Sequence, residues 1–151
     1  MSIDFDAIWR ELVGVFALGD WSLHGPNHWR NVEANGLKLA AATGADVVVV
    51  RLFAVFHDAA RQNENHDPEH GERAAGLAQR LHGTRFVVSP EQLQELCYAC
   101  SFHHRGLVTE RVTAGTCWDA DRLDLPRVGI QPHPDKMSTS EGKRLSRSPR
   151  S

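Results

Sequence analysis

The stretch DVVVVRLFAVFHDAAR, residues 46–61, decides how the chain is read. It is apolar on nearly every side, and periodicity alone does not separate a buried strand from a buried helix in such a run. Three features favour a helix: the length of the run, the Gly44 and Asp46 at its entrance, and the helical spacing of its neighbours. A helix that is apolar all round belongs at the centre of a domain, so the other elements are expected to pack around this one.

Working outward, residues 4–18 place Phe5, Ile8, Trp9, Leu12, Val13 and Phe16 on one helical stripe. A second helix is expected to open at Pro26, a residue suited to a first turn, and to stop at Thr43-Gly44. After the central run, RQNENHDP reads as a polar loop, and Pro68 opens a helix carrying His70, Ala74, Ala75, Leu77, Ala78 and Leu81. Ser89-Pro90-Glu91-Gln92 combines an N-cap, an N1 proline and an N3 glutamine, the signature of a fifth helix ending near His103. A last helix is expected over about 115–125, where Pro126 ends it. The fold class is therefore all-α: a single compact bundle of about six helices around a central apolar one. Residues 1–130 form the expected domain, and the Pro-, Ser-, Lys- and Arg-rich stretch 131–151 is read as a loosely packed, flexible tail.

At 151 residues and 41% hydrophobic, the chain has material for one core. No apolar run approaches the ~20 residues needed to cross a bilayer. The opening MSIDFDAIWRELV is acidic where a secretory leader would be basic, so the expected location is cytoplasmic. Three cysteines make no disulfide framework, in keeping with a reducing compartment. The net charge of −2 hides an asymmetry: residues 136–151 hold five basic side chains against Glu141 alone, so the rest of the chain is distinctly acidic. An acidic body argues against dedicated nucleic-acid binding, whose footprint is a basic face. Phosphate-binding glycine loops, dinucleotide fingerprints and nucleophile motifs are absent, and Cys97-Tyr98-Ala99-Cys100 has no second ligand pair, so it reads as helix packing.

The nine histidines are more informative, because most stand near another histidine or an acid: His24 and His28, His57 beside Asp58, His66 and His70, His103 beside His104. His57-Asp58 closes the buried helix, where an ionised carboxylate is costly unless a cation or hydrogen bonds compensate. The alternative is that the helix end emerges into water, with Asp58 solvated and His57 packed in the core. His28 in HGPNHWRNV precedes this pair and DADRLDL, with Asp121, follows it.

The order His, His-Asp, Asp on helices resembles the HD-domain superfamily of metal-dependent phosphohydrolases over about residues 20–130. The resemblance implies His28, His57, Asp58 and Asp121 as metal ligands, with Asp119 the fallback if the register within DADRLD shifts by two. Asp124, three residues from Asp121, would orient a ligand or hold Arg122. His70 in EHGERAAGLA and His103 in FHHRG resemble the binuclear branch, which implies a six-residue set for two metals; the competing reading leaves His70 at an exposed helix start and His103-His104 in a loop. The GYP tripeptide of the cyclic-dinucleotide branch is absent.

One or two divalent metals per chain are thus expected. Imidazole with carboxylate suits manganese, iron, cobalt, nickel or zinc, and magnesium would call for more oxygen ligands. The implied reaction is attack of metal-activated water on the phosphorus of a nucleotide or other small phosphate ester. Asp58 would steer the water, and Arg61, one turn from His57, would hold a phosphate by two parallel hydrogen bonds. His24, His66, His104 and Arg122 complete the expected substrate contacts. Two rival readings remain: a di-iron oxygenase like myo-inositol oxygenase, which uses the same ligand pattern, and a nucleotide-sensing module that keeps the helical core without turnover.

Overall fold

A computed structural model describes residues 2–147 and is all-helical. Seven α-helices follow in order: α1 (Phe5–Val15), α2 (Pro26–Thr43), α3 (Val47–Phe56), α4 (His70–Leu81), α5 (Pro90–Phe102), α6 (Val112–Arg122) and α7 (Ser140–Ser146). Short 3-10 turns occupy Leu125–Val128 and Pro134–Lys136. No helix among the described residues is long and apolar enough to cross a membrane.

The apolar run is α3, and its start has a local cause. Gly44 leaves α2 in the left-handed conformation at φ 79°, and the Asp46 carboxylate then accepts from the backbone N–H groups of Val48 and Val49. The same carboxylate accepts from Gln92, which ties the start of α3 to that of α5. From Val49 to Phe56 every residue of α3 except Arg51 is buried, and the helix touches α1, α2, α4, α5 and α6. Ser89 and Gln92 make the expected reciprocal capping box on α5.

Two expectations need correction. Helix α6 starts at Val112, earlier than 115, and ends at Arg122; Pro126 sits inside the following 3-10 turn rather than ending the helix. The stretch from 131 is also not a loose tail as far as it is described. Asp119, fully buried on α6, accepts hydrogen bonds from the backbone of Ser138 (2.7 Å) and Thr139 (2.9 Å) and from the Thr139 hydroxyl (2.7 Å). Arg122 donates to the carbonyl of Lys136 at 2.6 Å, Met137 is buried, and α7 packs on α2 and α6. The low apolar content of this strap misled because it docks through a buried carboxylate and a guanidinium more than through apolar area. Residues 148–151, part of the expected tail, lie outside the described residues.

Candidate metal centre

Five helix ends meet at one place. His28 lies in the first turn of α2, His57 caps the end of α3 with Asp58 in the turn beyond, His70 starts α4, His103 caps α5, and Asp121 is at the end of α6. Carbonyls in the last turns of α3 and α5 hold His57 and His103, a turn carbonyl holds His70, and a carboxylate holds His28. His57 Nδ1 lies 3.1 and 3.0 Å from the carbonyls of Phe53 and Ala54, one turn back on its own helix. A carbonyl only accepts, so Nδ1 carries the proton and Nε2 presents a lone pair. By the same reasoning His70 Nδ1 donates to the carbonyl of Asp67 (2.6 Å) and His103 Nδ1 to that of Cys100 (2.7 Å). His28 Nδ1 donates to the Asp124 carboxylate at 2.8 Å, and Asn31, one turn along α2, steadies that carboxylate.

The four Nε2 atoms converge in two pairs. In the first, His28 Nε2 is 3.0 Å from His57 Nε2, 3.0 Å from Asp121 Oδ1 and 3.4 Å from Asp58 Oδ2. His57 Nε2 lies 3.5 Å from Asp121 Oδ1 and 3.6 Å from Asp58 Oδ2. In the second, His70 Nε2 and His103 Nε2 are 3.0 Å apart and lie 3.1 and 3.4 Å from the other oxygen of Asp58. A metal holding such ligands at about 2.1 Å separates neighbouring donors by roughly 3.0–3.4 Å. The second cluster falls in that range and the first reaches slightly beyond it, to 3.6 Å, and two facing imidazole lone pairs repel unless a cation or a proton stands between them.

The electrostatics agree. Burial opposes a charge on His28, but its bonds to Asp121, Asp124 and Asp58 outweigh burial and raise its pKa to about 10. Burial works against ionisation of Asp58 and Asp121 as well, yet the surrounding imidazoles hold both carboxyls well below the ordinary value. A pocket that demands positive charge and offers four inward-facing nitrogens fits a divalent cation, with the nitrogen lone pairs as ligands.

The remaining candidates divide. His24 Nδ1 is 3.6 Å from Asp58 Oδ2, at the rim of the first cluster. Arg61 is nine-tenths buried; its Nη1 donates to the carbonyl of Asn63 at 2.8 Å, and its Nε, 3.7 Å from Asp58 Oδ1, has no hydrogen-bond partner. His104 packs its ring on His70 and donates from Nε2 to the carbonyl of Pro68 (2.6 Å), leaving Nδ1 buried without a partner. His66 is exposed on its loop and joins neither cluster. Arg122 points away, over Trp118 to Lys136, because it anchors the strap; it is not at the site as expected. Asp124 orients His28 and does not hold Arg122. Asp119 belongs to the strap, and it is Asp121 that faces the histidines.

Sequence reasoning missed Asn31 and Asp67. Asn31 was accessible through its i, i+3 spacing from His28. Asp67 accepts from the backbone of Gln62 and Asn63 and twice from Arg73, which shapes the turn whose carbonyl holds His70. Its only sequence signal was its place before Pro68.

The family model for the HD domain matches residues 27–147. The chain belongs to the HD-domain family. The match takes in all six converging residues of this HD domain and runs through the strap to Arg147. Its fold is similar to a solved structure described as a predicted HD superfamily hydrolase from an uncultured Thermotogales bacterium, at a TM-score of 0.76 and 23% identity, covering 95% of this chain and 83% of that one. A search of the curated proteins found no match.

Proposed function

We propose that this HD domain is a metal-dependent phosphohydrolase acting on a nucleotide or another small phosphate ester. The observation that carries the reading is the division of Asp58: Oδ2 faces the His28–His57 pair and Oδ1 faces the His70–His103 pair. One bridging carboxylate between two imidazole pairs supports a binuclear centre. His28, His57, Asp58 and Asp121 would hold one metal, and His70, His103 and Asp58 the other. Bound there, the metals would supply a water of lowered pKa and Lewis acidity toward phosphoryl oxygens.

The chain's own residues do the rest. Asp58 orients the attacking water through its shared carboxylate, and Asp124 keeps His28 in the tautomer whose Nε2 faces inward. Arg61, anchored at one nitrogen by Asn63, has its Nε–H free for a phosphoryl oxygen. His24, at the rim beside Asp58, can give a proton to the leaving oxygen. The second-cluster neighbour His104 offers a buried Nδ1 acceptor to a water or a substrate hydroxyl.

The test is elemental analysis of untagged protein purified without chelator, with phosphate release followed on nucleotides and a simple aryl phosphate, alongside Asp121→Ala. About two metals per chain and metal-dependent phosphate release, both reduced in the variant, are expected. Two irons with oxygen consumption and no phosphate release would move the chain to the oxygenase reading. Absence of metal under every loading condition would leave a nucleotide-sensing module.

A further inference from the structure

A cavity of about 770 Å³ does not open on the metal centre. It is a groove between the end of α1, the turn after Asp58 and the outer side of α4, and none of the six candidate metal ligands lines it. Four arginines, Arg61, Arg73, Arg80 and Arg105, line it against Glu69 and Glu72. That concentration of cations is notable on a body that is acidic outside its basic end.

The arginines are not equivalent. Arg73 is committed to the fold, with Nη2 on both oxygens of Asp67 and Nε on the carbonyl of Ala60. Arg105 shares a single ion pair with Glu72, and both side chains are about half exposed (48% and 42%), so that pair holds weakly. Arg80 makes no ion pair or side-chain hydrogen bond among the described residues. Its exposed side chain runs back along α4, with Nη1 3.4 Å from where a Cβ on Gly76 would stand, and both residues line the groove. Arg61 adds the second, independent observation: nine-tenths buried, it lines the groove, and its Nε, 3.7 Å from Asp58 Oδ1, makes no hydrogen bond. A buried N–H without an acceptor costs stability, and a ligand oxyanion would remove that cost.

We propose that this groove binds a small polyanion carrying two or more oxyanion groups, held by Arg61, Arg80 and Arg105, with Glu72 displaced from Arg105 on binding. Planar guanidinium forks suit phosphate and carboxylate alike, and three separate forks suit a ligand with several such groups better than a lone anion. Arg61 lies between the groove and Asp58, so an occupied groove abuts the metal centre. The site stands whether or not the metal centre hydrolyses phosphate esters, because its binding is read without turnover.

The test is titration calorimetry of the metal-loaded full chain with two probes, methylenediphosphonate and benzene-1,3,5-tricarboxylate, on wild type and the double variant Arg80→Ser/Arg105→Ser. Both substituted side chains are solvent-accessible, and metal content and helicity are checked in each sample. Binding of at least one probe, weakened about tenfold or more in the variant at unchanged metal content, is the expected result. Diphosphonate alone would name phosphates as the ligand class, and binding of the tricarboxylate would widen it to oxyanions. Failure of both probes to bind, or equal binding by the variant, would overturn the proposal.

Discussion

Replacing Asp119 by alanine should destabilise the fold while sparing the metal centre, although Asp119 stands only two residues from Asp121 on the same helix. Its carboxylate accepts three hydrogen bonds from the strap, two from backbone N–H groups and one from the Thr139 hydroxyl. Burial raises the Asp119 pKa despite those bonds, so part of their benefit is spent on desolvating the charge, and a value below the roughly 1.5–3 kcal/mol of bonds to charged groups applies. At about 1 kcal/mol per bond the loss is on the order of 3 kcal/mol. Exposure of Met137, now buried, would add roughly 2 kcal/mol if the strap peels away. For a chain of this size each kcal/mol moves the midpoint by about 2–4 °C, so the lost hydrogen bonds alone give a fall of roughly 6–12 °C, and loss of Met137 burial as well would bring it to roughly 10–20 °C. Thermal unfolding followed by circular dichroism gives the midpoint, and elemental analysis of the same samples gives the metal. Gly142→Ala should act in the same direction, because its Cβ would overlap the Asp119 carboxylate. A drop of less than about 2 °C in Asp119→Ala, or a metal loss as large as that of Asp121→Ala, would refute the division of labour between the two aspartates.

Two further outcomes follow from the site and its supports. Asp124→Asn removes the charged acceptor of the His28 Nδ1 proton, and metal affinity should fall about 10- to 100-fold in a competitive chelator titration, with stability little changed. Asp67 is held below the usual carboxyl value: burial alone would raise it, and the hydrogen bonds from Gln62, Asn63 and Arg73 together with the charge of Arg73 outweigh that. A depressed folded-state pKa adds stability above the unfolded value of 3.8, and that stability is lost as pH falls through the lower folded value. Acid unfolding of Asp67→Asn should therefore be less steep below about pH 4 than that of wild type, and identical slopes would deny Asp67 this role.

The sequence by itself determined the helices and the identity of most converging residues. Caps and stops are local: Asp46 before the valine run, Ser89 with Gln92, and Pro26 at a first turn act within one or two turns of chain, so their effect is legible without a fold. Histidine beside acid at the end of an apolar helix was legible for the same reason. Pairings across long separations were not. His28 meets Asp124 across 96 positions and His70 meets His103 across 33, and only helix packing brings those ends together. The packing also decided which aspartate of DADRLD faces the histidines, that Arg122 turns to the strap, and that residues 134–147 dock at all. Side chains one or two positions apart on a helix point in different directions, so a one-dimensional spacing names the candidates and the neighbouring helices select among them.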